Sequence, residues 1–270
     1  MSHPHSGLVT LTPREIIDLN QIDPDSTGGY DKAEAEARCK KLDKRIYKLQ
    51  RTLYAEHKQA LLIVLQATDT GGKDGTIRNL LTGINPQGVR VTSFGVPTSL
   101  EAAHDFLWRV HIAAPAHGMI GVWNRSHYED VLVVRVHELV PQKVWERRYQ
   151  AINNFEEMLF QSGTTILKFY LHISKEEQKE RLQSRLDNPE KNWKFSAADL
   201  KERRSWEEYQ VAFQDAINRC STPWAPWNIV PANHKWARDV AVAEKVADTL
   251  EKMSPQYPRA DFDPAEVEVK

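Results

Sequence analysis

Cysteine is almost missing: Cys39 and Cys220 are the only two in 270 residues, far apart, outside any CxxC pair and beside no recognisable catalytic histidine. A disulfide scaffold, a cysteine-held metal and thiol redox chemistry are set aside, leaving two packed or surface thiols. No apolar run is long enough to span a bilayer and the amino end has no secretory pattern, so a cytoplasmic protein with no membrane partner is expected. Neither sign of charge is in excess: 36 Lys and Arg against 37 Asp and Glu leave a formal net charge of -1. Bulk electrostatics therefore favour neither nucleic acid nor a membrane, and any basic patch must be local. No internal repeat is visible, and 270 residues suffice for one large α/β domain with a full core.

What is present centres on Leu61 to Thr76, LLIVLQATDTGGKDGT. The uninterrupted apolar run fits a strand buried on both faces, breaking into a glycine-rich turn and then a helix opening near Thr76. Gly71, Gly72 and Gly75 free the backbone to turn N–H groups toward an anion, and Lys73 adds a positive charge. The helix directs its positive dipole end to the same place. This is a degenerate P-loop, with Ala67 in place of the first glycine and Asp74 in place of the usual Ser/Thr. Asp69 and Asp74 bracket the lysine. Carboxylates in a phosphate cradle make sense chiefly with metal ions between them and the phosphates.

Residues 1–29 read as an N-terminal arm, with a short apolar patch at Ile16 to Leu19. Tyr30 to His57 lacks Gly and Pro in its body and spaces Leu42, Ile46, Leu49 and Leu53 helically, giving one long amphipathic helix that could form a homo-oligomer contact. After the cradle, Val89 to Phe94 is a strand, Leu100 to His111 has helical spacing, and Met119 to Trp123 is a second buried strand. A dense polar cluster, Asn124 to Asp130, follows where an open α/β sheet places its ligands. A helix from Pro141 to Gly163, the strand Thr164 to Ile173, a short strand Trp227 to Pro231 and a terminal helix Lys235 to Met253 complete the body. Ser174 opens a helix whose Glu177 should complete a capping box, with Arg181 and Arg185 on one face. Pro189 breaks it, Lys191 and Lys194 interleave with Trp193 and Phe195, and a second capped helix starts at Ser196, making residues 181–206 a candidate lid. Residues 254–270 form a proline-rich acidic tail, mobile or packed on a neighbour.

Five strands alternating with helices describe an α/β fold with a parallel sheet covered on both faces. All carboxyl ends then share one edge, so the cradle, the Asn124 cluster and the lid converge. Their order, phosphate cradle, arginine with carboxylates, then a cationic flap, is that of a phosphoryl-transfer site.

The runs DTGGKDGT from Asp69, NRSHYEDVLVVRV from Asn124 and KNWKFSAADLKERRSWEEY from Lys191 resemble the family-2 polyphosphate kinases, across roughly residues 30–253 as one domain. The resemblance implies a P-loop kinase-like three-layer sandwich with a central five-stranded parallel sheet and a helical lid. It implies transfer of the terminal phosphoryl group of inorganic polyphosphate to AMP or ADP, giving ADP or ATP, with magnesium, manganese being the alternative. Most members carry an aspartate where this chain has Asn124, and the departure looks like the subgroup accepting both AMP and ADP. Rival readings are an ATP-dependent nucleoside monophosphate kinase of thymidylate-kinase type and a polyphosphate- or nucleotide-binding regulator without turnover. Nucleic acid is not an expected partner.

Because a migrating phosphoryl group is stabilised through its non-bridging oxygens, roles follow from charge and alignment. Lys73 and the amides of Gly71, Gly72, Gly75 and Thr76 take phosphates at the transfer point. Asp69 holds the metal with Glu129 or Asp130, Glu129 being preferred, since Asn124 cannot ionise. Arg125 straddles donor and acceptor. Arg135, Arg181, Arg185, Lys191 and Lys194 line a track for the polyanion. The nucleoside is expected near Phe94 to Thr98 and Arg109, where the aromatic residues could equally be core.

Overall fold

The computed structural model describes residues 7–12, 15–263 and 267–269. Six strands, β1 (Val9–Thr10), β2 (Ala60–Gln66), β3 (Val89–Ser93), β4 (Ile120–Asn124), β5 (Thr164–His172) and β6 (Trp227–Pro231), form one sheet in the order β1-β6-β5-β2-β4-β3. Strands β2 to β6 are the five parallel strands expected. The sixth, β1, is contributed by the N-terminal arm and runs antiparallel to β6, with Val9 opposite Ile229. Ten α-helices accompany them: α1 (Lys32–Glu56), α2 (Lys73–Leu80), α3 (Ser99–Ala102), α4 (Trp108–Ala113), α5 (Val133–Val136), α6 (Gln142–Gln161), α7 (Lys175–Asp187), α8 (Ala197–Arg204), α9 (Trp206–Cys220) and α10 (Lys235–Met253).

Strand β2 is central, paired with β5 on one side and β4 on the other, and all seven of its residues are buried. That is why its sequence is a continuous apolar run without alternation. Each Leu, Ile or Val buried there contributes about 1.5–3 kcal/mol relative to exposure. The chain leaves β2 toward β3 and leaves β5 toward β6, in opposite directions. A crevice opens where adjacent strands diverge at their carboxyl ends, and the loops after β2 and β5 flank it.

Helix α1 starts on a capping box in which Asp31 accepts from the Glu34 N–H and Glu34 returns the bond, and it stops at His57 in the left-handed region (φ 56). Its stripe of Ala35, Leu42, Ile46 and Leu53 is buried in the same cluster as Val240, Ala243, Val246 and Leu250 of α10. The apolar face that suggested a subunit contact is therefore covered within the chain. The single helix expected over Leu100 to His111 is two short ones, because Asp105 accepts from the Leu107 N–H and re-starts the turn. At α7 the Ser174 side chain accepts from the Glu177 N–H as expected, but the box is not reciprocal. Glu177 pairs instead with Arg181, and the Ser174 N–H goes to Asn233.

Candidate active site

At the carboxyl end of β2 the backbone turns sharply through Thr70 (φ 62) and Gly72 (φ 103) before α2 begins at Lys73, one turn earlier than its sequence suggests. Thr70 has no glycine's freedom, and such a conformation costs about 1–3 kcal/mol, the kind of strain held at ligand clamps. Gly71 is required by space: a Cβ there would lie 2.4 Å from the Ala67 Cβ and 2.9 Å from the Thr68 carbonyl oxygen. The buried Lys73 curls back over the loop, its Nζ donating to the Ala67 carbonyl at 3.0 Å and the Thr68 carbonyl at 3.4 Å. Burial, with Arg125 adding to it, lowers the Lys73 pKa to about 8 from 10.5, against the pull of Asp69, Glu129 and Asp74. The hydroxyls of Thr68 and Thr70 are buried without a hydrogen-bond partner. A loop with a compressed cation and orphaned hydroxyls is poised for an anion that satisfies both.

The cluster after β4 faces this loop. Arg125, itself in the left-handed region (φ 62), donates from Nη2 to Asp69 at 2.9 Å and lies 3.9 Å from Glu129. Burial works against its charge, but Glu129 and Asp69 outweigh that and its pKa is raised. Burial pushes Glu129 up from the ordinary carboxylate range, with Arg125 and Lys73 opposing. Asn124 donates to Asp74 at 2.8 Å, joining the end of β4 to the first turn of α2. Asp130, by contrast, is turned away and taken by Arg148 at 2.9 Å.

The crevice is a cavity of about 1070 Å³ that runs from the glycine turn to the lid. Asp69, Gly71, Gly72, Lys73, Gly75, Arg125, Arg181, Arg185, Lys191 and Lys194 all line it, as the sequence led one to expect. Its wall holds nine lysines and arginines against six carboxylates, and no aliphatic or aromatic side chain. Arg181 is tied down, pairing with Glu177 at 2.6 Å and donating to the carbonyls of Thr70, Ala232 and Asn233. Arg185 pairs with Asp199 at 3.1 Å across the lid. Lys191 and Lys194 form no ion pair among the described residues, and Lys194 sits 4.9 Å over the ring of Trp193, which is 78% exposed.

Four expected contacts lie elsewhere. Arg135 points to the junction of α5 and α9, pairing with Asp215 at 2.6 Å and stacking on Trp145, so its place in a polyanion track is not kept. Arg109 donates to the Gly95 carbonyl and covers Phe94, which packs edge-on against Trp123 in the core. Thr76 is buried with its hydroxyl on the Gly72 carbonyl, capping the loop from below. Glu129 stands behind Arg125 and off the cavity wall, where Asp74 is the nearer carboxylate to the space.

Three cations were not foreseen: Arg78 of α2 and Lys235 and Arg238 of α10. Arg238 is 2% exposed, holds Asp239 through Nε and Nη2, and fills the space over Gly72, where a Cβ would come within 2.1 Å of its Nη1. Burial, then Arg181 and Arg238, lowers the Lys235 pKa. The signal was an arginine set among Ala237, Val240 and Ala241, a charge placed on the inward side of an apolar helix.

A sequence profile of Polyphosphate kinase 2 (PPK2) matches residues 29–258. An "AMP/ADP-polyphosphate phosphotransferase" of Meiothermus ruber is 54% identical over 253 residues, 93% of this chain and 95% of the relative. An "ADP-polyphosphate phosphotransferase" of Rhodopseudomonas palustris is 46% identical, covering 79% of this chain and 78% of its own. The crystal structure of Polyphosphate Kinase 2 from Arthrobacter aurescens superposes with a TM-score of 0.90 at 47% identity, over 92% of this chain and 90% of that one. A P-loop kinase-like sheet, a phosphate turn with an aspartate ahead of its Gly-Gly-Lys, and likeness over nearly the full length agree: this chain belongs to the polyphosphate kinase 2 family.

Proposed function

We propose that the protein transfers the terminal phosphoryl group of inorganic polyphosphate to AMP and to ADP, giving ADP and ATP. The observation that carries this is the cavity wall, rich in cations from the Lys73 turn to the lid and without an aliphatic or aromatic side chain. Such a wall suits a long polyanion and offers no aromatic ring for a base to stack on, so the nucleotide enters the cavity phosphate-first. Acceptance of both acceptors rests on Asn124, a neutral amide where most members carry an aspartate, and on the likeness to the Meiothermus ruber relative so named. With purified protein, magnesium, polyphosphate and AMP, chromatography should show ADP and then ATP. No nucleotide product with polyphosphate, together with rapid turnover of AMP with ATP as donor, would reverse the reading to a monophosphate kinase.

Magnesium, or manganese in its place, is the metal we assign, with Asp69 to hold it at the cavity, Asp74 the second carboxylate nearer that space, and Glu129 behind Arg125. Among the described residues no group of three or more His, Cys, Asp or Glu side chains is placed to hold a metal. This fits magnesium, which is usually held by one or two carboxylates plus substrate phosphates and water. When bound it neutralises charge on the phosphate oxygens; Lys73, Arg125 and the loop amides do the rest by aligning donor and acceptor. A cytoplasmic setting accords with two free thiols, and no described helix is long and apolar enough to cross a membrane. Self-association remains part of the proposal, through a surface other than the apolar stripe of α1, and nucleic acid remains outside it.

Because Arg181 and Arg185 already have carboxylate partners, the lid cations that line the cavity without an ion pair among the described residues are Lys191 and Lys194. Lys191→Ala with Lys194→Ala should raise the polyphosphate half-saturation about three- to tenfold, the worth of exposed charge contacts, and less at high salt. The nucleotide's half-saturation should move less. Steady-state kinetics at two salt concentrations decides, and an unchanged polyphosphate curve would rule out the lid as a polyanion clamp.

A further inference from the structure

Directly behind the reaction cavity lies a buried polar network that the proposed chemistry does not use. Lys168 stands in the middle of β5, 0% exposed, and spends its three donors on the Glu156 carboxylate at 2.6 Å, the Tyr128 hydroxyl at 2.7 Å and the Cys220 carbonyl at 2.6 Å. The Tyr128 hydroxyl in turn donates to the other oxygen of Glu156 at 2.9 Å, and His127 Nε2 meets that same oxygen at 3.1 Å. All four side chains are fully buried. An ammonium and a carboxylate in the core are costly to desolvate and are weak devices for stability alone, so their retention asks for a role in fixing geometry.

The geometry they fix is that of the segment from Arg125 to Asp130. Its residues divide cleanly. Ser126 accepts from Gln66 at the end of β2, His127 and Tyr128 are held by Glu156, and Asp130 is held by Arg148, two turns earlier on α6. Arg125 and Glu129 are the two that face Asp69 and Lys73. Arg125 needs such a seat, since its left-handed backbone persists only where its surroundings over-determine it.

We propose that Lys168 and Glu156 are positioning residues for phosphoryl transfer: the buried pair seats His127 and Tyr128, and through them sets where Arg125 and Glu129 stand against the Lys73 turn. The pair touches no substrate. It acts by holding the alignment of groups that do, and it rests on the proposed reading of the site as a polyphosphate kinase.

Removing one partner would strand a buried charge, so the test neutralises both. Lys168→Met with Glu156→Leu removes the seat, while Lys168→Met with Glu156→Gln keeps a carbonyl acceptor for Tyr128 and His127. The first should lose about tenfold or more in kcat, short of the ~hundredfold that a 1 Å misplacement can cost. The KM for both substrates should stay within about twofold, because the loss is felt only in the transition state. The glutamine version should recover most of that loss at a similar melting temperature. A merely structural pair predicts lowered melting temperatures with kcat per folded molecule unchanged, and that result overturns the proposal. Should the double variants not fold, Tyr128→Phe, which deletes only the hydroxyl between Lys168, Glu156 and the segment, carries the same test: kcat down at constant KM supports the seat, unchanged kcat removes it. The unsubstituted protein run alongside separates the two claims, since its failure to use polyphosphate would sink both, whereas its activity with indifferent variants would sink only this one.

Discussion

Lys73→Ala should lower turnover with polyphosphate by about a hundredfold or more, the scale expected when a preorganised electrostatic contact is removed from the transition state. The lysine is held in place before any phosphate arrives, its ammonium on the Ala67 and Thr68 carbonyls, so no ordering is needed at the moment of reaction. Its lowered pKa, about 8, adds a pH signature. In the protein alone the folded value lies below the ordinary 10.5, so between about 8 and 10.5 the unfolded chain binds the extra proton, and this group makes the fold more stable as pH rises through that window. Phosphate in the cradle acts the other way and restores the charge. The expected outcome is that kcat/KM for polyphosphate falls as pH rises through about 8 while kcat, which reports the loaded enzyme, holds to higher pH. Coincident profiles for the two constants would separate Lys73 from the pH dependence, and near-normal turnover of a folded Lys73→Ala protein would remove it from the transfer point.

Asp69→Asn is expected to cost a comparable factor, about a hundredfold or more, for a different reason. An asparagine can still accept the Arg125 bond through its remaining oxygen, so the arginine stays where the 2.9 Å contact puts it. What is lost is negative charge at the mouth of the cradle, and with it the metal's place. The half-saturating magnesium concentration should therefore rise along with the fall in kcat, while the melting temperature stays within a few degrees of the unsubstituted protein. A variant with normal kcat and an unmoved magnesium curve would take Asp69 out of the metal site.

The parts of this molecule that could be read from residues alone are those where local pattern and tertiary role agree. Strand β2 is buried on both faces and reads as an unbroken apolar run; α10 begins and ends where its amphipathic period does, at Lys235 and Met253. The glycine turn was legible because few other loops need Gly-Gly-Lys between a buried strand and a helix. Strand β1 was not, since Val9 and Thr10 are too short to show a period and pair only because β6 offers an open edge. Arg135 and Arg238 exchanged places for one reason: sequence says how far apart two cations lie along the chain, not which way a helix turns its face. Arg135 sits next to the motif and looks away to Asp215, whereas Arg238 lies far along the chain on a helix that packs against α2, and reaches over Gly72. Lys168 was hidden by its company in a strand, where a lone lysine is expected to point to solvent.

The pairing of β1 with β6 has a bearing on how the molecule comes into being. Thr10 bonds Asn228, Ile17 bonds Asn218, and the stripe of α1 lies against α10, so segments that a ribosome makes earlier find their partners among those it makes much later. Until Trp227 to Leu250 have emerged, Leu11, Leu42 and Ile46 lack part of their cover, and the reaction cavity lacks the Lys235 and Arg238 side of its wall. Neither cluster is therefore complete until its later segment is present. The same contacts that join these distant segments make the cavity wall wait on α10, so a nascent chain has no finished phosphate site until that helix has been made.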